Sequence, residues 1–197
     1  MSEQGDSSAS GGVEGDDRGP DAEPVQYSPV GARVPDHVAQ GVFSTGVIVM
    51  DGREEFVVDF VQGVARPPRI AARIVLNARV MGQFIDALKE NLRKYEGAFG
   101  KPPELPRPDG DRRPSAKEIY EGLKLPDGIL SGAYANTVRI AHSPSEFYFD
   151  FITRFFPTAA VSARVYMSAP QVPRLLESLS ASFENYLKKR NGPPDAE

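Results

Sequence analysis

The chain has no cysteine among its 197 residues and only two histidines, His37 and His142. The first absence excludes disulfides, thiolate metal sites and a cysteine nucleophile; the second excludes a metal cage built from several histidines. No apolar run approaches the roughly 20 residues that a membrane-spanning helix requires, and residues 1 to 30 contain no apolar stretch of the secretory kind. No membrane association is therefore expected, and the cytoplasm is the expected location. What remains is an ordinary composition, 25% charged and 40% hydrophobic, long enough for one domain or two small ones. The formal charge of -4 is concentrated at the ends: -6 over residues 1 to 36 and -2 over 191 to 197, against +1 over 37 to 99, 0 over 100 to 131 and +3 over 132 to 190. The body is mildly positive, so the acidic balance does not exclude an anionic partner.

Residues 1 to 36 are rich in Gly, Ser, Asp, Glu and Pro and too poor in large apolar side chains to offset the entropy of ordering, which reads as a disordered acidic tail. Residues 191 to 197 read the same way. KPPELPRPDGDRRP, residues 101 to 114, contains five prolines and reads as the start of a stiff linker that extends to residue 131. Ser115 and Glu118 have the form of a capping box, and Ile119, Tyr120 and Leu123 give a short helix one apolar stripe before Pro126.

The sequence repeats itself at an offset of 91 residues, without a gap, from Gln40 to Phe99 against Ser131 to Arg190. Eleven of the sixty aligned positions are identical, among them Gly41/Gly132, Phe56/Phe147, Asp59/Asp150, Arg73/Arg164 and Tyr95/Tyr186, and the apolar positions between them keep one alternating pattern. The expected units are residues 37 to 100 and 132 to 190. Each reads as three strands and a helix: strands at 42 to 50, 55 to 62 and 69 to 76 in the first copy, and at 133 to 141, 146 to 153 and 161 to 167 in the second. Met81, Phe84, Leu88, Leu92, Tyr95 and Phe99 form the stripe of the first helix, and Val172, Leu175, Leu179, Phe183 and Tyr186 that of the second. Asn77 and Ser168 suit their N-caps. The expected fold is α+β, two tandem β-β-β-α repeats, each antiparallel half-sheet backed by its own long helix, related by a pseudo-two-fold.

Phe56, Val58 and Phe60, like Phe147, Phe149 and Phe151, point to one face of their strand, which must be core. The opposite face is apolar in the first copy (Ile48, Val57, Val61, Val75) and carries Arg139, Tyr148, Ile152 and Tyr166 in the second. A bare apolar sheet face needs a cover, for which the other copy or another chain is the simplest expectation. Asp59 with Arg73, and Asp150 with Arg164, fall on adjacent strands of this face, as ligand-orienting pairs or as cross-strand ion pairs that fix register; the second reading is the expectation. His142 beside Ser143 has the residue types of a base and a nucleophile, but neighbours on a strand point apart, and a turn-capping role is expected. His37 reads as an exposed linker residue, and Gly41 and Gly132 as turn or bulge glycines.

The stretch Gly132-Ala-Tyr-Ala-Asn136-Thr-Val-Arg-Ile-Ala-His142-Ser-Pro-Ser-Glu146-Phe-Tyr-Phe-Asp150-Phe, followed by Ala163-Arg164-Val165 and a leucine-rich helix, resembles the family called domain of unknown function 3467. The first copy matches best at its helix end, Glu90 to Gly100, and departs at Ser44-Thr45 and Asp51-Gly52-Arg53. The resemblance implies a bacterial or archaeal source and supports the division into repeats; it brings no activity with it.

The expected function is a non-catalytic binding or assembly module whose partner is another protein or a second copy of the chain. The alternative is binding of single-stranded nucleic acid, because tandem strand-rich repeats ending in a helix look like the halves of Whirly or purine-rich-element binding proteins, and Arg139, Tyr148, Arg164 and Tyr166 mix stacking surface with charge. Those proteins have four strands per repeat, against the three counted here. An enzyme is not expected, since no His, Cys or carboxylate cluster recurs in both copies. Neither cofactor, metal nor small-molecule ligand is expected. The candidate binding residues are Asn136, Arg139, His142, Tyr148, Asp150, Arg164 and Tyr166.

Overall fold

The computed structural model describes residues 31 to 106, 116 to 155 and 157 to 191. Its elements are α1 (Asp36–Ala39), β1 (Val42–Ser44), β2 (Gly46–Asp51), β3 (Glu55–Gln62), β4 (Arg69–Asn77), α2 (Ala78–Phe99), α3 (Ala116–Glu121), β5 (Ala133–Tyr134), β6 (Thr137–His142), β7 (Glu146–Phe155), β8 (Thr158–Ser168) and α4 (Val172–Asn191). They build an α+β protein with two four-stranded sheets, in strand order β2-β3-β4-β5 and β1-β8-β7-β6.

The strand expected over 42 to 50 is two strands in different sheets. Ser44, fully buried, donates from Oγ to the carbonyls of Gly46 (2.8 Å) and Val61 (3.1 Å), and the chain turns there. β2 continues antiparallel to β3, whereas β1 crosses over and lies parallel to β8, Val42 opposite Val165 and Phe43 opposite Tyr166. The second copy does the same at Asn136. β5 lies parallel to β4, Ile74 opposite Ala133 and Val75 opposite Tyr134, the same register at the 91-residue offset. Each copy therefore has four strands, not three, and lends its first to the other copy's sheet. Bulges fall at equivalent places too, Phe60/Val61 and Phe151/Ile152.

The helices are exchanged as well. Phe84 of α2 packs edge-on against Phe149 (5.9 Å between ring centroids) and Phe151 (5.6 Å) of the second copy. Phe56 of β3 meets Tyr186 (5.1 Å) and Phe183 (5.9 Å) of α4. The expectation that each half-sheet sits under its own helix is corrected accordingly: a stripe of apolar residues fixes which side of a helix is buried, not which sheet it faces. Phe60 also reaches Phe149 and Phe151 across the gap between sheets, so one continuous core serves both copies.

The caps divide. Asn77 caps α2, its Oδ1 accepting from Val80 N at 2.9 Å, but Ser168 makes no side-chain cap, because Pro170 sits in a 3-10 turn, Ala169–Gln171, that delays α4 to Val172. Residues 1 to 30, 107 to 115 and 192 to 197, including Ser115 of the expected capping box and most of both expected tails, lie outside the described residues. The described part of the N-terminal stretch is seated earlier than the expected boundary. Arg33 bridges to Ala160 of β8, and Val38 of α1 is buried in a small cluster with Ile152, Ala159 and Val161.

Gly41 (φ 63°) and Gly132 (φ 75°) lead into the two exchanged strands. A Cβ on Gly41 would lie 2.6 Å from Tyr166 Cε2 and 2.8 Å from Arg164 Cγ. Gly41→Ala is thus expected to cost about 1–2 kcal/mol for the left-handed backbone alone, with the clash added, read as a lower midpoint in urea unfolding.

Candidate functional site

Both sheets carry a buried aspartate on the face turned away from the shared core. Asp59 and Asp150 are fully buried, each gripped by the arginine opposite it. Arg73 donates to Asp59 from Nε and Nη2, both at 2.8 Å. Arg164 donates to Asp150 from Nε at 2.6 Å and Nη2 at 3.0 Å. The remaining terminal nitrogen of each arginine reaches a carbonyl just before the exchanged strand that joins its own sheet, Leu130 O at 3.1 Å from Arg73 and Ala39 O at 3.4 Å from Arg164. The pairs therefore fix register and also hold the chain entering β5 and β1. Hydrogen bonding to the aspartates keeps both guanidinium groups still more firmly protonated than usual, against the opposing effect of burial.

The copies differ in the third partner. On the first sheet it is Tyr120 of α3, whose hydroxyl donates to Asp59 Oδ2 and also lies 3.6 Å from Met50 Sδ. The linker continues along this sheet, Ile70 N donating to Lys124 O at 2.9 Å. The linker itself meets part of the apolar face expected to need another copy or chain, through Tyr120 at Asp59 and Met50, while Ile48, Val57 and Val75 stay half-buried. On the second sheet the third partner is Arg139, which takes the place of Ile48 and donates to Asp150 Oδ2. Burial raises the Asp150 carboxyl, but hydrogen bonds from Arg164 and then Arg139 outweigh it and hold it below the usual carboxylate value.

The Tyr120 hydroxyl is pushed up to about 12, first by burial and then by its bond to Asp59. A raised value means the protonated form is favoured by folding, so its stabilisation is complete below pH ~10 and is lost as the pH rises from about 10 to 12. Tyr120→Phe is expected to cost about 1.5–3 kcal/mol at neutral pH, a hydrogen bond to a charged group, and to remove that alkaline loss. Chemical unfolding across pH 8 to about 12 checks both.

Of the seven candidate residues, five gather on the outer face of the β1-β8-β7-β6 sheet. Tyr148 stands opposite Tyr166, Asp150 opposite Arg164 and Arg139 opposite Asp150. The Tyr148 and Tyr166 rings are 6.1 Å apart, and the Arg164 guanidinium lies 5.7 Å from the Tyr148 ring centre. Asn136 is elsewhere and structural. It receives a bond from Arg154 N (2.8 Å) and returns one to Arg154 O (3.1 Å), locking the corner where β5 parts from β6. His142 faces the core side, ringed by Tyr95, Phe99 and Phe147. It does not cap the turn after β6; that is done by Ser143, whose Oγ accepts from Glu146 N at 3.1 Å and donates to the Glu146 carboxylate at 2.9 Å.

The face holds one residue that sequence reasoning missed. Phe43, 40% exposed, arrives on β1 beside Tyr166 because the strand is exchanged. The available signal was the polar Thr45 and Asn136 at the same offset inside otherwise alternating runs. A groove of about 600 Å³ runs over Phe43, Tyr148 and Tyr166, bounded by Gln40, His142, Ser143 and Glu146. A second cavity, about 280 Å³, lies between the copies and is lined by pairs at the repeat offset, among them Gly41/Gly132, Ala72/Ala163 and Arg73/Arg164.

Among the described residues no three metal-ligating side chains converge, and no helix is long and apolar enough to cross a membrane. The geometry defines an α+β protein with two four-stranded sheets, one buried aspartate joined by Tyr120 and the other by Arg139. The model of the family described as protein of unknown function (DUF3467) matches the chain twice, over residues 14–102 and 110–193, and the chain belongs to that family as a tandem duplication. No curated protein matches it.

Proposed function

We propose that the chain is a non-catalytic binding module, two β-β-β-β-α units related by an approximate two-fold, whose recognition surface is the outer face of the β1-β8-β7-β6 sheet. The observation that carries this reading is the contrast between equivalent faces: the first is filled by Tyr120 of α3, while the second leaves Phe43, Tyr148 and Tyr166 along an open groove. The polar groups favour binding over catalysis, because each buried aspartate is satisfied by arginines and His142 is turned toward aromatic rings. The cytoplasm is its proposed site of action.

A photo-crosslinking amino acid tests the reading in living cells. Placed at Ala141, opposite Tyr148, it is expected to give a discrete adduct. Placed at Met50, the equivalent position beneath Tyr120, it is expected to give none. Equal labelling at both positions, or none at Ala141, would sink the reading.

A further inference from the structure

Resting on that reading, we propose that the open face binds a single strand of nucleic acid, with bases laid over Phe43, Tyr166 and Tyr148 and a phosphate met by Arg139. The three rings come from three adjacent strands, β1, β8 and β7, and by register Phe43 lies beside Tyr166 and Tyr166 beside Tyr148. Neighbouring strands are about 4.8 Å apart, and the Tyr148 and Tyr166 centroids are 6.1 Å apart. That step is wider than the ~3.4 Å rise between stacked bases of a duplex strand; an extended, unpaired strand can match it and a duplex cannot. Aromatic platforms of this kind hold bases by their flat faces and tolerate any sequence.

Charge points the same way. Two arginines converge on one buried carboxylate, Arg139 and Arg164 on Asp150, which leaves a net positive charge on the face. The Arg139 side chain is 38% exposed, so the outer part of its guanidinium is within reach of a ligand, while its Nε is buried. Glu146 on the rim accepts from Ser143 Oγ at 2.9 Å and keeps its charge, so the positive excess is local to the two arginines around Asp150. The first sheet has aliphatic Ile48, Val57 and Val75 where Arg139, Tyr148 and Tyr166 stand in the second; it keeps a ring at the Phe43 position alone, Tyr134 of β5. One strand per chain is therefore expected, held by a ring from each copy, since Phe43 belongs to the first and the tyrosines to the second. An acidic peptide would use the arginines but has no need of three flat rings in a row.

The test is fluorescence anisotropy of the full chain with labelled oligothymidylate of about a dozen nucleotides at about 50 mM salt, with its duplex and polyglutamate as competitors. Saturable binding at one strand per chain is expected, with the duplex and polyglutamate competing poorly. Phe43→Ala and Tyr148→Ala should each weaken it about tenfold or more, and Tyr148→Phe should restore it, because the ring and not the hydroxyl stacks. Phe43→Leu keeps apolar bulk without a flat ring and should behave like the alanine variant. Arg139→Ala should make the dependence of log K on log salt shallower by about 0.7. Circular dichroism establishes that each variant is folded. A flat titration with folded wild-type chain, equal affinity in Phe43→Leu, or polyglutamate competing as well as oligothymidylate would overturn the proposal. An adduct at Ala141 that protease removes and nuclease leaves intact would overturn the nucleic-acid partner and leave the binding module standing; no adduct together with a flat titration would remove both.

Discussion

Asp150→Ala is expected to lower the unfolding free energy by about 3–5 kcal/mol, because it strands two arginines that were paired with a buried carboxylate. Arg164 loses both bonds of its fork and Arg139 its salt bridge, and the two like charges are then left facing each other across β7. The loss is larger than for an exposed pair, worth about 0–1 kcal/mol, because Asp150 is fully buried. The same carboxylate predicts a pH dependence. Its folded value lies below the usual one, so folding favours the ionised form; that stabilisation is fully present above the unfolded value near 4 and is lost as the pH falls through the folded value. Asp150→Asn keeps the shape and removes the charge, and is expected to flatten the acid limb of stability against pH. A limb of unchanged steepness in that variant would show that Asp150 does not set it.

What was legible in the sequence follows from what periodicity encodes. The alternation of Phe56, Val58 and Phe60, and of Phe147, Phe149 and Phe151, identified the buried face of each middle strand, and all six are fully buried. Asp59 opposite Arg73 and Asp150 opposite Arg164 followed from that alternation plus antiparallel pairing. The exchange of β1 and β5 did not follow, since a period of two states which side of a sheet a residue faces and is silent about which sheet it joins. Val42 and Val47 both pack against the one core, so the run from 42 to 50 looked continuous although it parts at Ser44 and Thr45.

The candidate surface was half legible for the same reason. Arg139, Tyr148, Arg164 and Tyr166 belong to one copy and lie on one face by local register. Phe43 joins them only through the crossover, and Tyr120 reaches Asp59 from 61 residues away along a linker whose prolines fix no direction.

Phe149→Ala should test how far the two copies are one folding unit. The ring is fully buried and touches Phe60 of the first sheet (6.4 Å between centroids) and Phe84 of α2 (5.9 Å), both contributed by the other copy. Removing it leaves a cavity at the junction, for which about 3–5 kcal/mol is expected, since neither sheet can shift into the space without pulling on an exchanged strand. If each copy were stable alone, the loss would fall on the second and unfolding would split into two steps. Because β1 completes the second sheet and β5 the first, a single transition at a lower midpoint is expected, with the slope in urea unchanged. The chain has no tryptophan, so the measurement pairs far-ultraviolet circular dichroism with solvent labels placed at exposed positions of each sheet. Separate midpoints for the two labels would mean that the exchanged strands do not couple the copies.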